Sequence, residues 1–127
     1  MSRVVLDASA LLAYLNGEPG GEQVPATSGS ALISAVNLSE VVSVLTVQGV
    51  SIETVRRSFS RIILDVISFD RVHAEGAGCM TVKTKSQGLS LGDRACLTLA
   101  LYAEAPVLTA DRAWRDVDVG VEIRFIR

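Results

Sequence analysis

The feature that most constrains this chain is the alternation of strand-like and helix-like segments along its whole length. Short β-branched or apolar runs, typical of buried strands, are followed by segments with helical apolar spacing. The predicted strands are 3–7, 31–36, 62–67, 107–109 and 121–126, and the predicted helices are 9–15, 37–49, 51–61, 69–87 and 90–103. This order predicts a parallel sheet of about five strands with right-handed crossovers and helices on both faces. The expected class is α/β, a three-layer α/β/α sandwich.

The composition favours one compact domain over residues 1–127. The 127 residues are 49% hydrophobic, which is enough apolar content for a core that needs no disulfide. The two cysteines, Cys79 and Cys96, lie in apolar helical runs without CxxC spacing. We therefore expect both to be buried thiols in a reducing compartment.

No segment of the sequence fits a membrane span or a secretory signal. The longest nearly uncharged stretch, 23–39, contains Pro25, Asn37 and several serines. The N-terminal segment lacks a basic region followed by an apolar stretch of signal length. These patterns predict a cytoplasmic protein with no membrane contact.

Four acidic residues lie beside the ends of predicted strands. Asp7 ends the first strand, and Asp111 follows the fourth. Glu40 and Asp93 belong to the first turns of two predicted helices, one after the second strand and one before the fourth. Because the carboxyl ends of parallel strands meet at one edge, where ligand sites collect, we expect the four carboxylates to converge there.

Helix capping offers a simpler explanation for some of these acids. Glu40 comes three residues after Asn37, and Asp93 comes three residues after Ser90, which is the spacing of a capping box. For either acid alone, capping is the favoured interpretation. Asp7 is different, because it follows Val-Val-Leu toward the buried middle of the sheet, where an unpaired carboxylate is costly.

Together the four acids predict a divalent cation. Like charges held close together repel strongly unless they take up protons or a cation lies between them. Oxygen ligands with retained water suit Mg²⁺ or Mn²⁺, and the lack of clustered His or Cys argues against zinc. The hydroxyls of Ser9 and Thr109 are candidates for supporting contacts.

Four segments of the sequence resemble those of a known family. The segments VLDASALLA around Asp7, NLSEV around Glu40, GLSLGDRA around Asp93 and LTADRAW around Asp111 resemble the PIN-domain ribonucleases, specifically VapC-type toxins. The resemblance covers essentially the whole chain. It departs from the family over 23–30, where a fuller second helix is common but Pro25 and Gly29 intervene, so antitoxin contacts are expected to differ there.

The resemblance implies a Mg²⁺- or Mn²⁺-dependent endoribonuclease that blocks translation, forms a homodimer and is neutralised by a VapB-type antitoxin. Its acidic set and supporting positions carry over to Asp7, Glu40, Asp93 and Asp111, then to Ser9 and Thr109, with Asp116 as a further acidic member. Asp7 and Asp111 would be the main ligands. Glu40 and Asp93 would hold water or a second ion, or orient the attacking water, and these alternatives stay open. The apolar residues of the first two helices independently favour a dimer interface.

The net charge of −2 is compatible with an RNA partner. Of the 14 acidic residues, four belong to the predicted site, and the remaining 10 are outnumbered by the 12 basic residues. Basic residues near the site are candidates for phosphate contacts, although ordinary solvated surface charge explains each of them equally well. These candidates are Arg94, Arg112 and Arg115, with the pair Lys83 and Lys85.

Two other functions compete with a nuclease. A phosphotransfer domain of haloacid dehalogenase-like type requires a second Asp two residues after the first, where this chain has Ser9, and a receiver-like domain requires an acid pair and a late lysine that are missing. A PIN-like module that binds RNA or antitoxin with weak catalysis is the second alternative. The four intact acids argue against it.

Overall fold

The fold was analysed in a computed structural model, which describes residues 2–127. The described residues form five strands and five α-helices, and three short 3-10 helices lie in the connections. The strands are β1 (Val4–Leu6), β2 (Ala31–Ser34), β3 (Leu64–Ile67), β4 (Val107–Thr109) and β5 (Ile123–Phe125). The helices are α1 (Ala8–Asn16), α2 (Ala35–Val47), α3 (Ile52–Phe59), α4 (Arg71–Lys83) and α5 (Leu91–Ala103). The 3-10 helices are Gly21–Gln23, Lys85–Gln87 and Arg112–Asp116.

The strands form one parallel sheet in the order β3-β2-β1-β4-β5. The chain builds outward from β1 in one direction through β2 and β3, then returns to the other side of β1 for β4 and β5. The strand order therefore reverses between β1 and β4, and the crevice beyond their carboxyl ends is the expected ligand position in such a sheet. Leu6 pairs with Leu108, so the next residues of the two strands, Asp7 and Thr109, emerge side by side.

Two apolar cores cover the two faces of the sheet. Successive side chains on a strand point to opposite faces, so Leu6 joins the core made with α1, α2 and α3, while Val5 joins the core made with α4 and α5. Trp114 is fully buried in the second core. This arrangement confirms the predicted three-layer α/β/α class with a five-stranded parallel sheet.

The predicted start of α2 is wrong. The helix begins at Ala35, and its N-cap is Ser34, whose hydroxyl accepts a hydrogen bond from the backbone N–H of Val36 at 3.2 Å. Strand β2 is correspondingly shorter than the predicted 31–36. Asn37 consequently lies inside the first turn of α2 and is fully buried, so it does not cap the helix as its spacing from Glu40 suggested.

Helix α4 differs from its prediction at both ends. It begins at Arg71 rather than at residue 69, because the carboxylate of the N-cap residue Asp70 accepts the backbone N–H of His73 at 3.0 Å. It ends at Lys83, since the Thr84 hydroxyl donates to the carbonyl of Met80 at 2.8 Å and the last predicted turn becomes a 3-10 helix. Cys96 is buried as expected, but Cys79 of α4 is exposed, so that prediction is wrong.

Within residues 2–127, no helix combines the length and apolar character that crossing a bilayer requires.

Candidate active site

Asp7 lies at the crevice where the strand order reverses. It is the residue after β1 and the N-cap position of α1, and its side chain is only 6% exposed. Its backbone N–H donates to the carbonyl of Leu108 at 3.0 Å, which holds the carboxylate beside the end of β4. The fold therefore buries a carboxylate where ligands bind in open α/β sheets.

Two hydroxyls donate to the same oxygen of Asp7. Ser9 Oγ lies 2.7 Å and Thr109 Oγ1 lies 2.8 Å from Oδ2. Each hydroxyl oxygen also accepts a hydrogen bond from a backbone N–H, which orients it. The N–H of Ala110 donates to Ser9 Oγ at 2.9 Å, and the N–H of Asp111 donates to Thr109 Oγ1 at 3.0 Å. Each hydroxyl has a single proton, and donation of that proton to Oδ2 leaves Oδ1 without a hydroxyl donor.

Burial raises the pKa of Asp7 above its ordinary value of 3.8, and the negative charge of Asp93 raises it further. The hydrogen bonds from Ser9 and Thr109 act in the opposite direction without cancelling the effect of burial. The ionised form of Asp7 is therefore held in the folded protein at a cost. A cation beside it would remove that cost.

Glu40 approaches the site from α2. Its Oε1 accepts a hydrogen bond from Asn37 Nδ2 at 2.8 Å, and the same nitrogen donates to the carbonyl of Gly92 at 2.9 Å. Partial burial raises the pKa of Glu40, and the charges of Asp7 and Asp93 add to that increase. These three acids act on one another electrostatically, which is the arrangement expected from a shared binding site.

Asp93 combines capping with a place in the acidic cluster. Ser90 and Asp93 form the predicted capping box, in which Asp93 Oδ2 accepts the backbone N–H of Ser90 at 3.0 Å and Ser90 Oγ accepts the backbone N–H of Asp93 at 3.1 Å. Cys96, on the next turn of α5, is fully buried, and burial together with the charges of Asp7, Asp93 and Glu40 raises its pKa. Its thiol therefore stays protonated and is not a nucleophile.

Neither Asp111 nor Asp116 is among the charges that raise the pKa of Asp7 or Glu40. Asp111 is exposed, and its Oδ1 accepts the backbone N–H of Ala113 at 3.0 Å, which caps the 3-10 helix. Its connection to Asp7 runs through its own backbone N–H and the Thr109 hydroxyl. Asp116 is exposed at the far end of the same 3-10 helix, so its membership of the acidic set stays a prediction.

The basic residues predicted to contact RNA have different environments. Arg94 is partly buried, and its Nη1 donates to the carbonyl of Ala77 in α4 at 2.9 Å. Arg112 is exposed, with its guanidinium 5.0 Å from the centre of the Phe125 ring, and Arg115 is exposed nearby. Across residues 2–127, no lysine or arginine forms an ion pair with Asp7, Glu40, Asp93 or Asp111, because the ion pairs that occur involve other acids.

Comparison with known protein families matches residues 4–120 to the PIN domain. The chain belongs to the PIN-domain family. No functionally curated protein matches this PIN domain by sequence.

Solved structures resemble the PIN domain over nearly its whole length. A chain of DNA-bound VapBC from Salmonella typhimurium has 19% identity and a TM-score of 0.73, with 100% of both chains covered. A chain of a toxin–antitoxin complex from Klebsiella pneumoniae has 16% identity and a TM-score of 0.73, with 98% of both chains covered. A chain of VapBC-1 from nontypeable Haemophilus influenzae has 15% identity and a TM-score of 0.72, with 97% of both chains covered. At these identities the likeness establishes a shared fold.

The acidic cluster of the PIN domain suits a hydrated divalent ion. Its donors are carboxylate oxygens of Asp7, Glu40 and Asp93 that no basic side chain within residues 2–127 neutralises. In the same part of the chain, no three Asp, Glu, His or Cys side chains are close enough to hold a metal by themselves. Mg²⁺ is usually bound by one or two carboxylates and keeps several waters, so the cluster fits that ion better than it fits zinc or calcium.

Sequence reasoning missed two residues of this site. The spacing of Asn37 from Glu40 predicts a helix cap, but the Asn37 amide contacts the Glu40 side chain. Nothing in the sequence marks Gly92, whose carbonyl accepts from the same amide. The sequence contained one signal for Asn37. Ser34 is an equally good N-cap three residues earlier, and moving the helix start to that residue turns Asn37 into a buried polar side chain that needs partners.

Proposed function

We propose that this PIN domain is the toxin of a VapBC-type toxin–antitoxin system, an endoribonuclease that uses Mg²⁺ or Mn²⁺ to hydrolyse RNA and inhibit translation and growth. The observation that carries the proposal is the buried Asp7 carboxylate at the point where the strand order reverses, together with Glu40 and Asp93. Carboxylates that repel one another without a neutralising base are an arrangement that a bound divalent cation stabilises.

Each residue of the site has a distinct role in this proposal. Asp7, oriented by Ser9 and Thr109, and the exposed Asp111 would be the main residues that hold the ion. Glu40 and Asp93 would accept hydrogen bonds from coordinated or attacking water. The ion, when bound, supplies electrophilic stabilisation of the phosphoryl group during hydrolysis. Arg94, Arg112 and Arg115 are proposed to contact RNA phosphates.

Cleavage of total cellular RNA by the purified protein tests the proposal. Reactions contain Mn²⁺, Mg²⁺ or EDTA, and the Asp7→Asn variant is compared with the wild type under identical conditions. The matched control is Asp65→Asn, because Asp65 is an exposed acid on the edge strand β3 and the charge change is the same. We expect discrete fragments from the wild type and from Asp65→Asn, and none with EDTA or from Asp7→Asn.

Two results would contradict this assignment. Equal cleavage by the wild type and Asp7→Asn would exclude the acidic cluster as the active site. Metal binding without cleavage of any cellular RNA would favour the alternative function, a PIN-like module that binds RNA or antitoxin with little catalysis.

We also propose a VapB-type antitoxin as the partner of this chain. Support comes from structural neighbours that are described as VapBC or toxin–antitoxin complexes. Expression of the chain alone is expected to arrest bacterial growth, and co-expression of its antitoxin is expected to restore growth. The antitoxin is also expected to co-purify with the chain. Growth arrest by the Asp7→Asn variant would contradict the toxin assignment.

The homodimer stays a proposal, and the groove between α4 and α5 is a candidate surface for it beside the apolar residues of the first two helices, which the sequence favours. A groove of about 330 Å³ lies between α4 and α5, lined by apolar side chains that include the exposed Val72, Leu101 and Tyr102. Glu75, Cys79 and Lys83 line it at intervals of one helical turn. A twofold axis through Cys79 would place Glu75 of each protomer beside Lys83 of the partner subunit, which is the charge pairing that a dimer through this groove would use.

A further inference from the structure

Asn37 is an unusual residue for the interior of a helix. It is fully buried in the first turn of α2, and its Nδ2 divides its two protons between Glu40 Oε1 at 2.8 Å and the carbonyl oxygen of Gly92 at 2.9 Å. The first contact is with an acid of the candidate active site on the same helix. The second is with the helix α5, which supplies Asp93. A single amide thus connects the two helices from which Glu40 and Asp93 enter the site.

Gly92 also confines the Glu40 carboxylate. A Cβ atom built on Gly92 would lie 2.6 Å from Glu40 Cδ and closer still to Oε2. The carboxylate therefore lies directly against the backbone of α5, at a distance that only glycine allows. The obstructed group is the far end of a flexible side chain, so a larger residue at position 92 would displace Glu40 rather than the helix.

The electrostatics of the cluster explain why Glu40 needs this support. Its carboxylate is close enough to Asp7 and Asp93 to be affected by both charges, and a glutamate side chain has enough rotatable bonds to swing away from them. The hydrogen bond from Asn37 opposes that movement. It is a charge-assisted bond in a partly buried environment, and such bonds are shorter and stronger than those between neutral groups.

We propose that Asn37 and Gly92 form a clamp that positions Glu40 for divalent-cation binding, with Asn37 as a positioning residue that holds the carboxylate against the glycine backbone. This inference rests on the proposed function, since it assigns a role within the same site. Hydrogen-bonding partners of carboxylates at metal sites typically affect metal affinity by roughly 10- to 100-fold. The clamp is expected to act in that range.

The test is Mn²⁺ binding by isothermal titration calorimetry, combined with thermal unfolding of the metal-free protein. Gly92→Ala is the main variant, because alanine favours the helix over glycine while its methyl group displaces Glu40. Gly78→Ala is the matched control, since Gly78 lies within α4 and an added Cβ there meets nothing within 4 Å. We expect Gly92→Ala to keep its melting temperature and to bind Mn²⁺ roughly 10-fold or more weakly. Gly78→Ala is expected to bind like the wild type.

Asn37→Leu tests the other residue of the clamp. It replaces the amide by an apolar group of similar size and should weaken Mn²⁺ binding in the wild-type background. In the Glu40→Gln background, the same substitution should have no further effect on Mn²⁺ affinity, because the carboxylate that Asn37 positions is gone. An equal loss of affinity in both backgrounds would overturn the positioning role.

The outcomes separate the clamp from the function on which it rests. A wild-type protein that binds no Mn²⁺ would overturn the proposed function and the clamp with it. A wild type that binds Mn²⁺, with unchanged affinity in Gly92→Ala and Glu40 still essential for binding, would overturn the clamp alone. Weaker binding by Gly92→Ala with an undiminished melting temperature would support it, because a purely structural role predicts a loss of stability instead.

Discussion

The hydroxyl of Thr109 lies 2.8 Å from Oδ2 of Asp7, across the boundary between β1 and β4 where the strand order reverses. Both residues follow a strand pair in register, Leu6 with Leu108, so the contact is a direct consequence of sheet pairing. The backbone N–H of Asp111 donates to the same hydroxyl, which commits its proton to Asp7. The sheet therefore orients the buried carboxylate before any ligand binds.

Replacing Thr109 by valine should destabilise the protein in a pH-dependent manner. Valine keeps the shape but removes a donor to a buried carboxylate, and hydrogen bonds to charged groups contribute about 1.5–3 kcal/mol. Because the missing bond stabilises the ionised form, its removal raises the pKa of Asp7 further. The free energy of unfolding should therefore fall most above the raised pKa of Asp7 and fall less below it, where Asp7 is protonated in both proteins.

Urea unfolding of both proteins at several pH values measures this difference. Thr98→Val is the matched control, because Thr98 is fully buried in α5 and its hydroxyl donates to the uncharged sulfur of Met80 at 3.6 Å. Its effect should not depend on pH. A Thr109→Val effect that is the same at every pH would mean that the hydroxyl does not stabilise the charge of Asp7.

The Asp7→Asn variant should be more stable than the wild type at neutral pH when no metal is present. The pKa of Asp7 is raised in the folded state, so the folded protein binds this proton more tightly than the unfolded chain does. Wild-type stability accordingly declines as the pH rises from about 3.8 through the raised pKa, and the penalty is fully present above it. An asparagine carries no charge, and its amide oxygen can still accept from Ser9 and Thr109.

Thermal unfolding between pH 3 and pH 8, with EDTA and with Mn²⁺, checks this expectation. The advantage of Asp7→Asn should shrink as the pH approaches 3.8, where Asp7 takes up its proton in both states. Mn²⁺ should raise the melting temperature of the wild type more than that of the variant. Equal shifts with Mn²⁺ would show that the ion binds elsewhere.

Most elements of the fold and the position of Asp7 could be predicted from the sequence. Strand and helix periodicities are local, and they identified all five strands and all five helices within a few residues of their bounds. The sheet edge that collects Asp7 and Thr109 followed from the alternation alone, because parallel strands end on one side.

Contacts between distant segments could not be predicted in this way. The burial of Asn37 depends on the Gly92 carbonyl, 55 residues away in the chain, and two equally good caps left the start of α2 undecided. The exposure of Cys79 depends on the groove between α4 and α5, which the apolar composition of α4 does not reveal. Helical spacing fixes which residues share a side of a helix, but the packing of neighbouring helices decides which side is covered.

Arg112 and Arg115 should contribute to RNA affinity by neutralising phosphates. Both are exposed and belong to the 3-10 helix that Asp111 caps, next to the candidate site. In an Asp7→Asn background, which leaves the RNA intact, replacing either residue by glutamine should weaken binding. The slope of the logarithm of affinity against the logarithm of salt concentration should also become shallower. For single-stranded RNA, the expected change is about 0.7 for each phosphate contact that the substitution removes.

Fluorescence anisotropy with a labelled single-stranded RNA gives both quantities. Arg57→Gln is the control, because Arg57 is exposed in the last turn of α3. That helix leads to β3, the edge strand on the other side of β1 from β4. The salt slope of Arg57→Gln should match that of the Asp7→Asn parent. An unchanged slope in Arg112→Gln and Arg115→Gln would indicate that the two arginines are ordinary solvated surface charges rather than phosphate contacts.

The proposed dimer predicts a specific disulfide. With a twofold axis through Cys79, the Cys79 thiols of two protomers lie opposite each other, whereas Cys96 is fully buried and out of reach of oxidants. Mild oxidation should therefore give a covalent dimer that is absent from Cys79→Ser. Lys83→Glu and Glu75→Lys should each reduce crosslinking by placing like charges together, and the double charge swap should restore it. An interface through α4 would be contradicted if the protein is monomeric by light scattering. It would also be contradicted if the charge swaps leave the yield of crosslinked dimer unchanged.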